Sequence, residues 1–136
     1  MLEIRAFIDT NILLYLLSED ATKANRAEEI LRIGGVVSVQ VLNELANVAH
    51  CKLAMPWEEV CELLSLIQSL CSIEPLKIET HERGILIAKH YKLSVHDAMI
   101  IAAGLLAGCD ILYSEEMQDG QLIDNQLRIY NPFSTH

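Results

Sequence analysis

The sequence predicts an α/β fold built on a parallel sheet. Two observations predict it: short apolar runs alternate with longer segments of helical period, and polar residues follow several of these runs directly. Strands that alternate with helices of ten or more residues are typical of parallel sheets, because the chain needs a crossover to re-enter each strand in the same direction. We therefore expect any functional site at the carboxyl edge of the sheet.

Segments with the length and composition of strands occur along the whole chain. The first is a short buried run that ends before Asp9, and Pro75 makes the third an edge or irregular strand. The stretch around Gly120, residues 117–124, is expected to be a loop or a short turn. Strands are expected at 3–8, 36–39, 73–78, 110–114 and 127–130.

The segments between the strands have a helical period. Gly34 and Gly35 end the second helix, and Pro56 suits the first turn of the fourth. Apolar positions three and four apart give each helix one face for the sheet. Helices are expected at 11–18, 23–32, 40–52, 57–71, 80–91 and 94–107.

Length and composition indicate one cytoplasmic domain that spans residues 1–136. No window approaches the roughly 18 unbroken apolar residues that cross a bilayer, so we expect no membrane association. Asp9 also interrupts the stretch where a secretory signal would stay apolar. The hydrophobic fraction of 51% is high, which favours a buried homo-oligomer face or a partner groove, and we expect a homodimer.

Charge and cysteine content exclude several classes of protein. The net charge of −9 excludes a protein that grips nucleic acid by bulk electrostatics, so a polyanionic substrate would need a cation or local basic patches. Candidate patches are Lys23, Arg26 and Arg32 on one helix and Arg83, Lys89 and Lys92 on another. The four cysteines have no zinc-site or redox spacing, and we expect buried, reduced thiols.

Four carboxylates stand in apolar or tightly patterned surroundings: Asp9, Glu44, Asp97 and Glu116. Isolated carboxylates near a core are costly unless they are paired or bind a cation, and an all-oxygen ligand set suits Mg²⁺ or Mn²⁺. Each also has a purely structural explanation. Asp9 and Asp97 occupy positions that cap helices, and Glu44 and Glu116 have the pattern of surface residues.

Four segments resemble, in order, the PIN-domain ribonucleases, and most closely the VapC-type toxins of toxin–antitoxin systems. They are Phe-Ile-Asp-Thr-Asn-Ile-Leu at 7–13, Val-Leu-Asn-Glu-Leu-Ala-Asn-Val at 41–48, His-Asp-Ala-Met-Ile-Ile-Ala-Ala at 96–103 and Leu-Tyr-Ser-Glu-Glu-Met-Gln-Asp-Gly at 112–120. The resemblance extends from Phe7 to the last strand and so covers nearly the whole chain.

The resemblance implies a three-layer α/β/α sandwich with a central parallel sheet and Mg²⁺- or Mn²⁺-dependent cleavage of RNA. Asp9, Glu44 and Asp97 match the acids of the family's metal site. Glu116 stands where the family usually has Asp, so Glu115 and Asp119 remain alternatives for the fourth acid. Supporting polar positions that orient acids and waters are matched by Thr10, Asn11 and Ser114.

The resemblance further implies a toxin that acts as an endoribonuclease and is held inactive by a cognate antitoxin protein. An alternative is a PIN-fold binding or regulatory module whose catalysis the change at Glu116 has weakened. A haloacid dehalogenase is disfavoured because Asn11 stands where its second acid belongs. His96 adjoins Asp97, but neighbours on a helix point about 100° apart, so acid–base catalysis by this pair is not expected.

Overall fold

The centre of the molecule is a sheet of six strands within residues 4–134, the part of the chain that the computed structural model describes. The strands are β1 (Ala6–Ile8), β2 (Gly35–Ser38), β3 (Cys71–Glu74), β4 (Ile111–Tyr113), β5 (Leu122–Ile123) and β6 (Leu127–Tyr130). Their order is β3-β2-β1-β4-β6-β5, and every pair is parallel except β5 with β6. The predicted parallel sheet is confirmed, with one short antiparallel strand at its edge.

Helices cover both faces of this sheet. They are α1 (Thr10–Leu14), α2 (Ala21–Ile33), α3 (Val39–Asn47), α4 (Trp57–Leu70), α5 (Ile78–Tyr91) and α6 (Val95–Leu106). The chain steps one way from β1 through β2 to β3 and the other way from β3 to β4. Because such crossovers are right-handed, α1–α4 lie on one face and α5–α6 on the other. This is the expected α/β/α sandwich.

Two helices continue in a different helical geometry. A 3₁₀ turn, Tyr15–Leu17, follows α1, and a π-helical turn, Val48–Lys52, follows α3. The predicted helices at 11–18 and 40–52 are therefore each divided. The sole tryptophan, Trp57, begins α4 and stacks on His50 of the π-helical turn, with ring centroids 3.9 Å apart and planes at 22°.

β1 is short but fully enclosed, and it lies at the centre of the core. Phe7 and Ile8 have no exposed surface, and Leu112 of β4 beside them is equally buried. Burial of side chains of this size contributes roughly 1.5–3 kcal/mol each, which fixes the register of the central strands. The register pairs Ile8 with Tyr113, so the residues that follow β1 and β4 emerge side by side.

Gly34 and Gly35 make the tight connection from α2 into β2. Gly34 has φ +88°, which only glycine adopts readily, and it ends α2 as predicted. A side chain at Gly35 would begin 2.8 Å from the main-chain oxygen of Ala6 on β1. Glycine at this position is what lets β2 approach β1.

Three sequence expectations need correction. The strand expected at 73–78 is β3, Cys71–Glu74, which places Cys71 in the sheet and ends before Pro75. The loop expected at 117–124 contains β5, and Asp124 with Asn125, both at positive φ, turns the chain into β6. The first expected strand, 3–8, is β1 and begins only at Ala6, while its residue 3 lies outside the described residues.

The cysteine expectation holds only in part. All four thiols are free, and those of Cys71 and Cys109 are buried, whereas Cys51 and Cys61 are exposed. Burial raises the pKa of the Cys109 thiol to about 11, so it stays protonated. Within residues 4–134, the helices are too short or too polar to cross a membrane.

Candidate functional site

Asp9 is the first residue after β1, at the carboxyl edge of the sheet. Its main-chain N–H donates to the oxygen of Tyr113 (3.0 Å), which continues the β1–β4 ladder by one more bond. The side chain is only 5% exposed although it carries a carboxylate. The sheet itself therefore holds this acid in place, at the edge where sites of parallel sheets form.

Three hydrogen bonds hold the Asp9 carboxylate. Its Oδ1 accepts from the main-chain N–H of Thr10 (2.7 Å), which caps α1. Its Oδ2 accepts from the Asn11 side-chain amide (2.9 Å) and from the Ser114 hydroxyl (3.0 Å). The Thr10 hydroxyl is buried and has no hydrogen-bond partner within residues 4–134. The three polar residues predicted to support Asp9 all lie beside it.

Burial raises the pKa of Asp9 from 3.8 to about 6. The hydrogen bonds from Thr10 and Ser114 lower it, and the negative charges of Glu44 and Asp97 raise it further. These two carboxylates are therefore near enough to Asp9 to act on its charge. Three acids from three different elements share one electrostatic environment at this edge.

Glu44 lies on α3 and pairs with a residue from the opposite layer. Its carboxylate is 2.7 Å from Nε2 of His96, and Nδ1 of His96 is 3.2 Å from the Gln40 side-chain amide. The α3 helix begins at Ser38, whose hydroxyl accepts from the Val41 N–H (3.2 Å). This cap starts α3 at the end of β2 and so brings Glu44 towards the edge that carries Asp9.

Asp97 lies in the first turn of α6. The Ser94 hydroxyl accepts from the Asp97 N–H (3.1 Å), which is one half of the expected capping box. The reciprocal half, a bond to the Asp97 carboxylate, is not formed within residues 4–134. The side chain of Asp97 is thus free of a capping role and is only partly exposed.

Glu115 and Asp119, the two alternatives for the fourth acid, both have partners. The Glu115 carboxylate is 3.0 Å from Nζ of Lys23 and accepts from the Tyr15 hydroxyl. The Asp119 carboxylate accepts from the Asn131 N–H (2.8 Å) at the end of β6. Burial opposes ionisation of Glu115, but the bonds from Tyr15 and Lys23 outweigh it and lower the pKa of its carboxyl.

Glu116 is exposed and has no hydrogen bond or ion pair within the described part of the chain. It lines a groove of about 340 Å³ together with Glu115. The floor of the groove is largely apolar, and its wall is completed by Asn11, the partner of Asp9. Remaining lining residues are Leu14, Tyr15, Leu17, Ser18, Val48 and Leu53.

The two candidate basic patches are largely neutralised. On α2, Arg26 pairs with Glu29 and Arg32 with Glu28, while Lys23 pairs with Glu115. On α5, Arg83 pairs with Asp124 (2.9 Å), and this bond lowers the pKa of Asp124. These pairs leave Lys89 and Lys92 of the predicted substrate contacts as exposed cations.

The predicted acids lie in one region of the structure, but their carboxylates do not converge on a common position. Within residues 4–134, no three His, Cys, Asp or Glu side chains have the arrangement of a metal site. The Glu44 carboxylate is bonded to His96, and the Glu115 carboxylate is bonded to Lys23. Asp9 is held among neutral donors.

Sequence reasoning underrated two groups of residues around these acids. His96 was not expected to take part, yet it contacts Glu44 across the sheet edge. Tyr15 and Lys23 were not connected with the 114–116 segment at all. The signal for His96 was its position beside Asp97, whereas Tyr15 and Lys23 carry no local signal because their partner is about 100 residues away in the chain.

Comparisons with known proteins agree with this fold. A toxin–antitoxin complex from Klebsiella pneumoniae is similar over 96% of this chain and 99% of that chain, with 23% identity and a TM-score of 0.71. Mycobacterium tuberculosis VapC20, a sarcin–ricin loop cleaving toxin, is similar over 82% and 89%, with 15% identity and a TM-score of 0.64. Rickettsia felis VapBC2, solved with a promoter DNA fragment, covers 94% and 100% at 15% identity and a TM-score of 0.68.

No curated protein matches the sequence significantly. The sequence profile of the PIN domain, however, matches residues 6–119, which include β1 with Asp9, both helices that carry Glu44 and Asp97, and the segment with Glu116. The match spans well over half of the chain and includes the carboxyl ends of β1 to β4. The chain therefore belongs to the PIN-domain family.

Proposed function

We propose that this protein is a Mg²⁺- or Mn²⁺-dependent endoribonuclease, the toxin of a toxin–antitoxin pair. The observation that carries the proposal is the buried Asp9 carboxylate, whose pKa is raised to about 6 in part by Glu44 and Asp97. Family membership supports a nuclease, and VapC20, with a similar fold, is an RNA-cleaving toxin.

The donor set suits a hard divalent cation. Asp9, Glu44, Asp97 and Glu116 offer only oxygen atoms, which Mg²⁺ and Mn²⁺ prefer, and the mutual repulsion of these acids favours a cation between them. The Thr10 hydroxyl, buried without a protein partner, provides one more oxygen for an ordered water near Asp9. We infer that these four carboxylates hold the cation, with Glu44 exchanging its bond to His96 for it.

The residues of the site would divide the work of hydrolysis. Asn11 and Ser114 keep the Asp9 carboxylate in one orientation, and the bonds from Thr10 and Ser114 offset part of the rise in its pKa that burial causes. One of the carboxylates orients the attacking water and accepts its proton, for in-line attack at phosphorus. The cation, when bound, lowers the pKa of a water and neutralises charge on the phosphate. Since attack needs no RNA 2′-hydroxyl, the products would carry 5′-phosphate ends.

The groove beside the site supports an antitoxin as partner. Its largely apolar lining and the exposed carboxylate of Glu116 match a basic, amphipathic segment of another protein. A second groove of about 360 Å³ between α2 and α4 is lined mainly by leucines. We infer that the antitoxin's tail occupies the acidic groove and that a basic side chain there competes with the cation.

A homodimer is supported by apolar side chains left exposed on the α5–α6 layer. Ile78, Leu86 and Val95 are each more than half exposed, and exposed apolar surface of this kind marks protein contacts. A symmetric dimer through this layer would leave the grooves on the other face accessible to the antitoxin.

The experiment that tests the proposal is cleavage of total RNA by purified, antitoxin-free protein with Mg²⁺ or Mn²⁺. Parallel reactions contain EDTA, the Asp97→Asn variant or the Glu62→Gln variant, which removes an exposed acid on α4 as a matched control. We expect cuts that require the cation, persist in Glu62→Gln and fall at least about 100-fold in Asp97→Asn. Mapping of the cut ends should find 5′-phosphates.

Three outcomes would contradict parts of the proposal. Cuts with 2′,3′-cyclic phosphate ends would exclude the water-attack mechanism. Cuts that survive both EDTA and Asp97→Asn would place the activity elsewhere or in a contaminant. A folded, antitoxin-free protein that leaves RNA intact would favour the binding or regulatory module.

A further inference from the structure

Lys23, Tyr15 and Glu115 form a cluster at the side of the candidate site, which we call the Lys23 clamp. Lys23 Nζ is 3.0 Å from Glu115 Oε2 and donates to the Tyr15 hydroxyl at 3.0 Å, while that hydroxyl donates to Glu115 Oε1. Both carboxylate oxygens of Glu115 are therefore engaged. The ammonium group also lies 4.5 Å from the centre of the Tyr15 ring and 5.4 Å from that of Phe133.

A continuous path of bonds leads from the clamp to Asp9. The main-chain N–H of Glu115 donates to Asn11 Oδ1 (3.0 Å), and the Asn11 amide donates to Asp9 Oδ2 (2.9 Å). Ser114, the residue before Glu115, donates to the same oxygen of Asp9. A contact that fixes Glu115 therefore also restrains Asn11 and Ser114, the two side chains that donate to Oδ2 of Asp9.

The clamp also separates the roles of two adjacent acids. Both residues line the groove beside Asn11, but the Glu115 carboxylate is bonded to Lys23 of α2, whereas Glu116 has no partner within residues 4–134. Asp119, the third acid of this segment, is bonded to the end of β6. Of the three, Glu116 is left available to a cation.

We propose that Lys23 is a positioning residue: it holds Glu115 out of the cation site, fixes Asn11 and Ser114 on Asp9, and leaves Glu116 as the fourth acid. The role of Glu116 rests on the proposed function, because it requires a bound cation. The Lys23 clamp itself rests only on the bonds described above. Because Lys23 is committed to Glu115 and Tyr15, it does not serve as a phosphate-binding cation, which was one expectation from the sequence.

The first readout needs neither cation nor RNA. Hydrogen exchange of the Glu115 amide, followed by NMR in EDTA, reports the bond to Asn11 directly. We expect Lys23→Met to speed this exchange about fivefold and Lys23→Arg to leave it nearly unchanged, since arginine keeps a donor for both partners. Unchanged exchange in folded Lys23→Met would overturn the clamp.

The second readout is Mn²⁺ affinity of the RNA-free protein, measured by calorimetry. We expect Glu116→Gln to weaken binding about tenfold or more and Glu115→Gln to change it less than about twofold. Lys23→Met should tighten binding about two- to fivefold because it releases a carboxylate, and adding Glu115→Gln should cancel this gain. Equal losses in Glu115→Gln and Glu116→Gln would overturn the assignment of the fourth acid.

RNA cleavage then distinguishes positioning from phosphate binding. Lys23→Met should lower kcat about tenfold with a smaller change in KM, although it binds Mn²⁺ more tightly. A raised KM with unchanged kcat would mean that Lys23 contacts the RNA, against the proposal. If the unaltered protein binds no Mn²⁺, the proposed function fails together with the role of Glu116, and the exchange measurement still decides the clamp.

Discussion

At the scale of residues, the two oxygen atoms of the Asp9 carboxylate have different partners. Oδ1 caps α1 by accepting from the Thr10 N–H, and Oδ2 accepts from Asn11 and Ser114. Of the two explanations that the sequence left open, the helix cap is confirmed and uses Oδ1, while binding of a cation stays a prediction.

The pKa of Asp9 makes stability depend on pH. The pKa of Asp9 is 3.8 in the unfolded chain and about 6 in the folded protein. Its contribution to the free energy of unfolding is therefore complete below pH 3.8 and is lost as the pH rises through about 6. The loss amounts to roughly 3 kcal/mol. In EDTA, we expect the free energy of unfolding of Asp9→Asn, relative to that of the unaltered protein, to rise by about 2–3 kcal/mol from pH 4 to pH 7.5.

Denaturant unfolding at the two pH values measures this difference. Glu62→Gln, which removes an exposed acid of α4, is the control and should follow the unaltered protein. Parallel pH profiles for Asp9→Asn and the unaltered protein would show that burial does not perturb this carboxyl.

Whether a contact between site residues could be predicted from the sequence depends on which elements carry the two residues. Asp9 and Ser114 each follow a parallel strand, so their meeting follows from the strand pattern alone. The pairs His96–Glu44 and Lys23–Glu115 join different layers or distant segments, and their distances depend on helix packing that no local pattern encodes. For the same reason, the partners of Glu115 could not be foreseen, and the fourth acid stayed open.

At the scale of elements, the connection from α2 into β2 depends on Gly35. A β-carbon there would meet the Ala6 main-chain oxygen at 2.8 Å, and a strand backbone in the centre of the sheet has little freedom to move. At Gly104 of α6 the nearest atom would be 3.4 Å away, at the end of the Leu127 side chain. Alanine substitutions at Gly35 and Gly104 therefore compare a position without room for a β-carbon with one that has room.

We expect Gly35→Ala to cost about 1–3 kcal/mol of unfolding free energy, because overpacking against the backbone separates β2 from β1. Gly104→Ala should be neutral or stabilise by up to about 1 kcal/mol, because alanine is the better helix former. Denaturant unfolding of both variants checks the pair. A larger loss in Gly104→Ala than in Gly35→Ala would contradict the packing described for β2.

Elements were predicted best where their own sequence carried the signal. The last strand, Leu127–Tyr130, has the expected bounds, since its alternation is clear and Asn131-Pro132 ends it. β5 was missed because two residues give no period to detect. Cys71 was assigned to α4, since the apolar period of that helix runs into β3 without a break.

At the scale of the whole molecule, the proposed function predicts that a divalent cation stabilises the fold, since the net charge is −9 and several acids lie in one region. Binding to the folded state alone adds about 2.7 kcal/mol at a concentration one hundred times Kd. For a chain of this size, that raises Tm by roughly 5–10 °C. We expect this rise with MgCl₂ or MnCl₂.

Two controls separate specific binding from general screening of charge. NaCl at matched ionic strength should raise Tm much less, and Asp9→Asn should lose most of the response to the divalent salts. An equal rise with NaCl, or an undiminished rise in Asp9→Asn, would argue against a cation bound by these carboxylates.

The stacking of Trp57 on His50 gives the molecule an optical reporter. Trp57 is the chain's sole indole and lies at the tip of the α3–α4 hairpin, 56% exposed and outside the core. Its fluorescence therefore follows the separation of this hairpin tip, whereas far-ultraviolet circular dichroism follows the helices as a whole. A fluorescence transition that precedes the dichroism transition would identify the hairpin as a separately melting unit.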